Sequence, residues 1–90
     1  MLVKCFLTMF IQAEDGKKGL EQKQKMAIDV LSKQGYKTEG TKIGKGARRV
    51  TIYATIESKG SETAQQAIDR ASELISKATG RKTAGRPLKA

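Results

Sequence analysis

The first dozen residues follow a two-residue pattern of apolar and polar positions. Side chains of a β-strand alternate between two faces, so this pattern predicts a strand with one core face and one mixed face. We expect the odd positions to pack on the core. The odd set is Val3, Cys5, Leu7, Met9 and Ile11, and the even set is Leu2, Lys4, Phe6, Thr8, Phe10 and Gln12.

The next segment has the apolar spacing of an amphipathic helix. The stripe consists of Leu20, Ala27, Ile28 and Leu31, with Gln24 among them. The helix is predicted to run from about Gly16 or Gly19 to Gln34. Asp15 is the expected N-cap, and Gly35 is the expected left-handed residue that ends the helix.

A second amphipathic helix is predicted nearer the C-terminus. Its apolar stripe is Ala64, Ala67, Ile68, Ala71, Leu74, Ile75 and Ala78. Ser61 is the expected N-cap, and Glu62 would lie near the positive helix end. Gly80 is expected to end this helix.

Between the helices, the pattern predicts a β-hairpin. The segment YKTEGTKI is followed by a turn at Gly44, Lys45 and Gly46 and then by ARRVTIYATIES. In that last run, apolar and polar positions alternate strictly, which is typical of a half-buried strand. The apolar set is Val50, Ile52, Ala54 and Ile56, and the other set is Thr51, Tyr53, Thr55 and Glu57.

These elements predict an α+β, two-layer sandwich in β-α-β-β-α order. The antiparallel hairpin would belong to a three-stranded sheet, and both helices would cover one face of it, which leaves the other face open. Residues 1–80 would form a single domain. Residues 81–90, RKTAGRPLKA, have no apolar periodicity and are expected to form a flexible, disordered basic tail.

The charge is strongly positive and unevenly placed. The chain has 18 Lys and Arg, 9 Asp and Glu, and a formal net charge of +9. Cations grouped on a hairpin and a tail favour contacts with phosphates. The alternative is a solvated hairpin tip whose lysines protect an edge strand. The candidate nucleic-acid contacts are Lys42, Lys45, Arg48, Arg49, Arg81, Lys82, Arg86 and Lys89.

The open sheet face is expected to carry aromatic side chains. By strand alternation, Phe6, Phe10 and Tyr53 lie there beside Arg49, Thr51 and Thr55, with Lys4 nearby. Aromatic rings on an open sheet can stack on unpaired bases. A homodimer that buries this face explains the same pattern equally well. Both uses remain open at this point, and a dimer could join two basic hairpins into one surface.

Two glycine-containing segments add weaker signals. Gly16-Lys17-Lys18-Gly19 opens the first helix, where Lys17 and Lys18 could help to bind an anion, although a loop with solvated lysines explains them as well. Gly85-Arg86-Pro87 is similar to the core of the AT-hook motif, except that Ala84 stands where the motif has an arginine. Non-specific phosphate contacts by the tail are the simpler interpretation.

The side-chain inventory argues against catalysis. The chain has no histidine and one cysteine, so the usual general base is missing and no metal or other cofactor is expected. Cys5 is expected to face the core, and its lack of a disulfide partner indicates a reducing, cytoplasmic compartment. No apolar run approaches the roughly 18 residues of a membrane span.

The sequence therefore predicts a small, basic nucleic-acid-binding protein, not an enzyme, that acts as a homodimer. It leaves open DNA or RNA, and single or double strands. The alternative is a regulatory adapter or inhibitor that docks on an acidic surface of a protein partner through the same cations.

Overall fold

Strict alternation of apolar and polar residues produces the two longest strands of the fold. The computed structural model describes residues 1–11, 16–44 and 46–88. The elements in chain order are β1 (Leu2–Phe10), α1 (Lys17–Ser32), β2 (Lys37–Gly40), β3 (Arg49–Glu57), α2 (Ala64–Thr79) and β4 (Thr83–Pro87).

The four strands form one antiparallel sheet in the order β2-β3-β1-β4. β1 and β3, which are separated by α1 and β2 in sequence, are neighbours in the centre, and the two short strands form the edges. This β-α-β-β-α-β arrangement is the ferredoxin-like, split βαβ topology. The broad prediction of an α+β fold with an antiparallel hairpin is confirmed.

The prediction of three strands and a disordered tail was wrong for β4. Residues Thr83–Pro87 pair antiparallel with β1, with Gly85 opposite Leu7 and Arg86 opposite Phe6. The sequence TAGRP contains no strong β-former except threonine, so local propensity did not indicate a strand. A strand at the edge of a sheet tolerates proline, and Pro87 is the last residue of β4.

The core lies between one sheet face and the two helices, as expected. The odd residues of β1 and the even residues of β3 are buried against Leu20, Ala27 and Leu31 of α1 and against a longer stripe on α2. Cys5 is fully buried, and burial raises the pKa of its thiol to about 11. Its thiol is therefore protonated and unreactive near neutral pH. Neither helix in the described part of the chain has the length and apolar character required to cross a membrane.

The helix ends differ in part from the sequence predictions. Gly16 occupies the N-cap position of α1, and the predicted cap Asp15 lies outside the described residues. The N-cap of α2 is Thr63 and not Ser61, and Thr63 forms a reciprocal capping box with Gln66. α1 ends at Ser32 with Lys33 as its C-cap, so the prediction that it runs to Gln34 and ends at Gly35 was wrong; Gly35 has a φ of 82° but lies beyond the cap. Gly80 has a φ of 70° and ends α2, as predicted.

The hairpin has a longer connection than the predicted tight turn. β2 ends at Gly40 and β3 begins at Arg49. The base of the connection is held by Gln24, whose side-chain amide donates to the Thr41 carbonyl at 3.0 Å. The Thr41 hydroxyl in turn donates to the Thr51 carbonyl at 2.7 Å. Gln24 thus occupies the apolar stripe of α1 because it satisfies the backbone of the hairpin.

Candidate nucleic-acid interface

The sheet surface opposite the helices, which we call the open face, is formed by outward-pointing residues of all four strands. Its members are Leu2, Lys4, Phe6, Thr8 and Phe10 of β1, Lys37 and Glu39 of β2, Arg49, Thr51, Tyr53, Thr55 and Glu57 of β3, and Ala84 and Arg86 of β4. The sequence prediction of which aromatic residues share this face agrees with the strand register. Both helices pack on the other side, so none of the described elements covers it.

Two aromatic residues lie side by side in one row across the centre of the open face. Phe6 of β1 lies directly opposite Tyr53 of β3. Arg86 of β4 flanks Phe6 on one side, and Glu39 of β2 flanks Tyr53 on the other. Side chains directly opposite each other on neighbouring strands are in contact range. Phe6 and Tyr53 are therefore neighbours on the open face, and Arg86 is the next residue along the row on the Phe6 side.

A second row lies at the end of β1. Phe10 is opposite Arg49 of β3, and the Phe10 backbone N–H donates to the Lys82 carbonyl at 2.9 Å. Phe10 and Tyr53 are 42% and 43% exposed, so both rings are open to a ligand. Between the two rows, a shallow depression of about 400 Å³ is lined by Phe6, Thr8, Phe10, Arg49, Ala84, Gly85 and Arg86.

The topology gathers three basic segments at the same end of the sheet. β1 ends at Phe10 shortly before α1 begins, β3 begins there after the hairpin connection, and β4 begins there after Gly80. We call this the basic end, and its cations are Lys17, Lys18, Lys42, Arg48, Arg49, Arg81 and Lys82. In sequence these residues appeared as a helix start, a hairpin and a tail. The fold brings these three segments to one end of the sheet.

The cations of the open face are not neutralised by ion pairs among the described residues. The ion pairs found there join Lys33 to Asp29, Lys77 to Glu73 and Arg70 to Glu62, all on or beside the helices. Glu39 and Glu57 are the carboxylates that strand positions place on the open face. Within the described part of the chain, neither forms an ion pair with Lys4, Lys37, Arg49 or Arg86. The positive charge of this surface is thus available to a polyanion.

The fourth aromatic residue has a structural partner and does not join the open face. Arg70 donates to the Tyr36 hydroxyl at 2.6 Å, and two of its nitrogens contact Glu62 at 3.0 and 3.1 Å. These hydrogen bonds to Arg70 lower the pKa of the Glu62 carboxyl. The cluster ties α2 to the ends of β2 and β3. Tyr36 therefore stabilises the fold at the end of the sheet opposite Phe10.

The predicted nucleic-acid contacts differ in where the structure places them. Lys42 and Arg48 are exposed in the hairpin connection, whereas Lys45 and Lys89 lie outside the described residues. Arg81 is half-buried, and Lys82 and Arg86 are exposed. Sequence reasoning placed Arg86 on a tail. Its position beside Phe6 depends on β4, for which the local sequence carried no strand signal.

The segment that resembles an AT-hook core is part of the sheet. Gly85 is buried on the helix side of β4, and Arg86 points to the open face in the next position. A segment held in a β-ladder is not a flexible arm that follows a minor groove. Arg86 is therefore held at a fixed position in the sheet, opposite Phe6.

No protein-family model matches the chain, and neither does any curated protein or solved structure. Within residues 1–11, 16–44 and 46–88, no group of three or more His, Cys, Asp and Glu side chains could hold a metal ion.

Proposed function

We propose that this chain is a non-enzymatic nucleic-acid-binding protein whose binding surface is the open face together with the basic end. The observation that carries the proposal is the row in which Phe6 and Tyr53 adjoin Arg86, with Arg49 beside Phe10 in the next aromatic row. Nucleic acids present phosphates to cations and bases to aromatic rings. This surface offers both kinds of group within one small area.

The charge distribution favours a polyanion over a small anion. The cations lie on all four strands of the open face and at the basic end, so they are spread along the sheet rather than directed at one point. A chain of phosphates can contact several of them at once and release a counterion at each contact. Binding should consequently be strong at low ionic strength and fall steeply as salt is added.

The test is a titration of fluorescently labelled oligonucleotides at several salt concentrations between about 50 and 200 mM. The double variant Arg49→Gln, Arg86→Gln should reduce the slope of log affinity against log salt by about 1.4 to 1.8, since each lost phosphate contact accounts for about 0.7 to 0.9. The matched control is Lys33→Gln, Lys77→Gln, which removes the same charge from the exposed C-cap of α1 and from an exposed position of α2. No binding at low salt, or equal effects of the two double variants, contradicts the proposal.

The predicted homodimer stays a prediction, and the charges of the open face disfavour a face-to-face form. Such a dimer would cover Leu2, Phe10 and Tyr53, which are exposed. It would also press Arg49 and Arg86 against a copy of the same face, on which cations outnumber the carboxylates Glu39 and Glu57, and burying unpaired charges is costly. A dimer that leaves the open face free is compatible with nucleic-acid binding.

An acidic protein partner is the alternative to nucleic acid, since the same cations would serve it. Nuclease treatment before a pull-down separates the two. Loss of the captured partner after nuclease supports the proposal. A protein that stays bound through Arg49 and Arg86 after nuclease treatment, while purified oligonucleotides do not bind, favours the adapter.

A further inference from the structure

We infer that the open face binds single-stranded rather than double-stranded nucleic acid, with unpaired bases stacked on Phe6, Tyr53 and Phe10. This inference rests on the proposed function and names its substrate class. It is carried by the position of the aromatic rings on a sheet face instead of on a protruding helix or ribbon.

The shape of the open face favours single-stranded over double-stranded nucleic acid. In a duplex, the faces of the bases are covered by neighbouring base pairs, and only their edges are accessible in the grooves. The major groove admits a helix or a two-stranded ribbon, whereas the open face spans four strands. Phe6 lies on a central strand and cannot enter a groove. Its ring can meet a base only when that base is unpaired.

The small residues between the aromatic rows leave room for bases to approach. Thr8 lies between Phe6 and Phe10 on β1, and Thr51 and Ala84 lie opposite it on either side. Phe6 and Phe10 are four residues apart, which corresponds to about 13 Å along a strand. The depression between them thus has an aromatic ring at each end and short side chains at its base. This shape suits flat, unpaired bases better than a bulky duplex.

The charges indicate which side of the face the phosphates follow. In the row of Phe6 and Tyr53, Arg86 stands at the β4 side and Glu39 at the β2 side. A phosphate is attracted by the first and repelled by the second. The backbone of the strand is therefore expected to lie on the β4 side and to continue past Lys82 to the basic end.

The first experiment compares single strands of DNA and RNA with the corresponding duplexes by titration at low salt. We expect the single strands to bind at least tenfold more tightly. Equal affinity for strands and duplexes, or a preference for duplexes, overturns the inference but leaves the proposed function intact. No binding to any of them refutes the proposed function itself. The difference in affinity between the DNA and the RNA strands shows whether the sugar contributes to binding.

The second experiment removes the rings one at a time. Phe6→Thr and Tyr53→Thr should each weaken single-strand binding about 5- to 150-fold, the effect of losing one base–aromatic stack, without changing the salt slope. Threonine suits these positions because Thr51 and Thr55 occupy the same face of β3. Tyr53→Phe keeps a ring and should bind like the wild type. If Tyr53→Thr is folded by circular dichroism and binds like Tyr53→Phe, stacking is ruled out.

Tyrosine fluorescence provides a direct readout of stacking. The chain has two tyrosines and no tryptophan, so in a Tyr36→Phe variant Tyr53 is the one remaining tyrosine and dominates the emission. Single strands should quench it, and duplexes at the same occupancy should not. Met26→Gln is the control for loss of an exposed apolar side chain, because Met26 is 36% exposed and lies on α1, outside the open face. It should leave single-strand affinity unchanged, and a loss equal to that of Phe6→Thr contradicts stacking.

Discussion

Gly85 lies where β4 comes closest to the core. A Cβ atom at this position would be 2.5 Å from Leu7 Cδ2, 2.7 Å from Ile68 Cγ2 and 2.9 Å from the Phe6 carbonyl oxygen. Two of these neighbours are buried side chains and the third is backbone, so little can move away. The absence of a side chain at residue 85 allows β4 to pair with β1, and this pairing brings Arg86 to Phe6.

Gly85→Ala should therefore destabilise the protein by about 1 to 3 kcal/mol, the usual effect of overpacking a core. The measurement is the free energy of unfolding in urea. Gly19→Ala is the matched control, because a Cβ there meets nothing within 4 Å. Since Gly19 lies in α1, alanine should stabilise by up to about 1 kcal/mol. Equal stability of the two variants would show that β4 does not pack as described.

At the scale of elements, the start of α2 shows how a local motif decides between neighbouring candidates. Ser61 and Thr63 are both suitable N-cap residues. Thr63 is followed three residues later by Gln66, which is the spacing of a capping box, whereas Ser61 is followed by Ala64. The structure forms both reciprocal hydrogen bonds of that box, at 2.9 and 3.2 Å. The capping-box spacing was present in the sequence, and it identifies Thr63 rather than Ser61 as the N-cap.

Thr63→Ala should lower the free energy of unfolding by about 1 kcal/mol, because it leaves a helix-terminal N–H without its acceptor. Ser61→Ala should change it by less than about 0.5 kcal/mol, as is usual for an exposed position without such a role. Thermal or urea unfolding of the two variants side by side provides the measurement. The reverse order of effects would place the start of α2 at Ser61.

At the scale of the whole molecule, β4 links stability to the binding surface. It covers Leu7 on the helix side, where it also contacts α2, and it completes the open face with Arg86. The Gly85 carbonyl also accepts a hydrogen bond from Gln65 of α2 at 3.1 Å. A segment with the composition of a mobile basic tail is thus part of the sheet.

Deletion of residues 83–90 should destabilise the fold strongly, unlike the removal of a flexible tail. Uncovering Leu7 and Ile68 costs about 3 kcal/mol or more, which corresponds to a fall in Tm of at least about 12 °C. The control is Lys82→Gln, Arg86→Gln, which removes charge but keeps β4, and it should change stability by less than about 0.5 kcal/mol. Calorimetry distinguishes the two. A truncated chain as stable as the full one would mean that β4 is dispensable.

The sequence by itself determined the elements whose signal is local. Alternation defined β1 and β3, helical spacing defined α1 and α2, and the same alternation assigned Phe6, Phe10 and Tyr53 to one face, because side-chain direction in a strand depends only on position. The strand β4, the direct pairing of Phe6 with Tyr53 and the basic end were decided by tertiary structure. Each depends on which strands become neighbours, and that choice is made by packing between segments far apart in the chain.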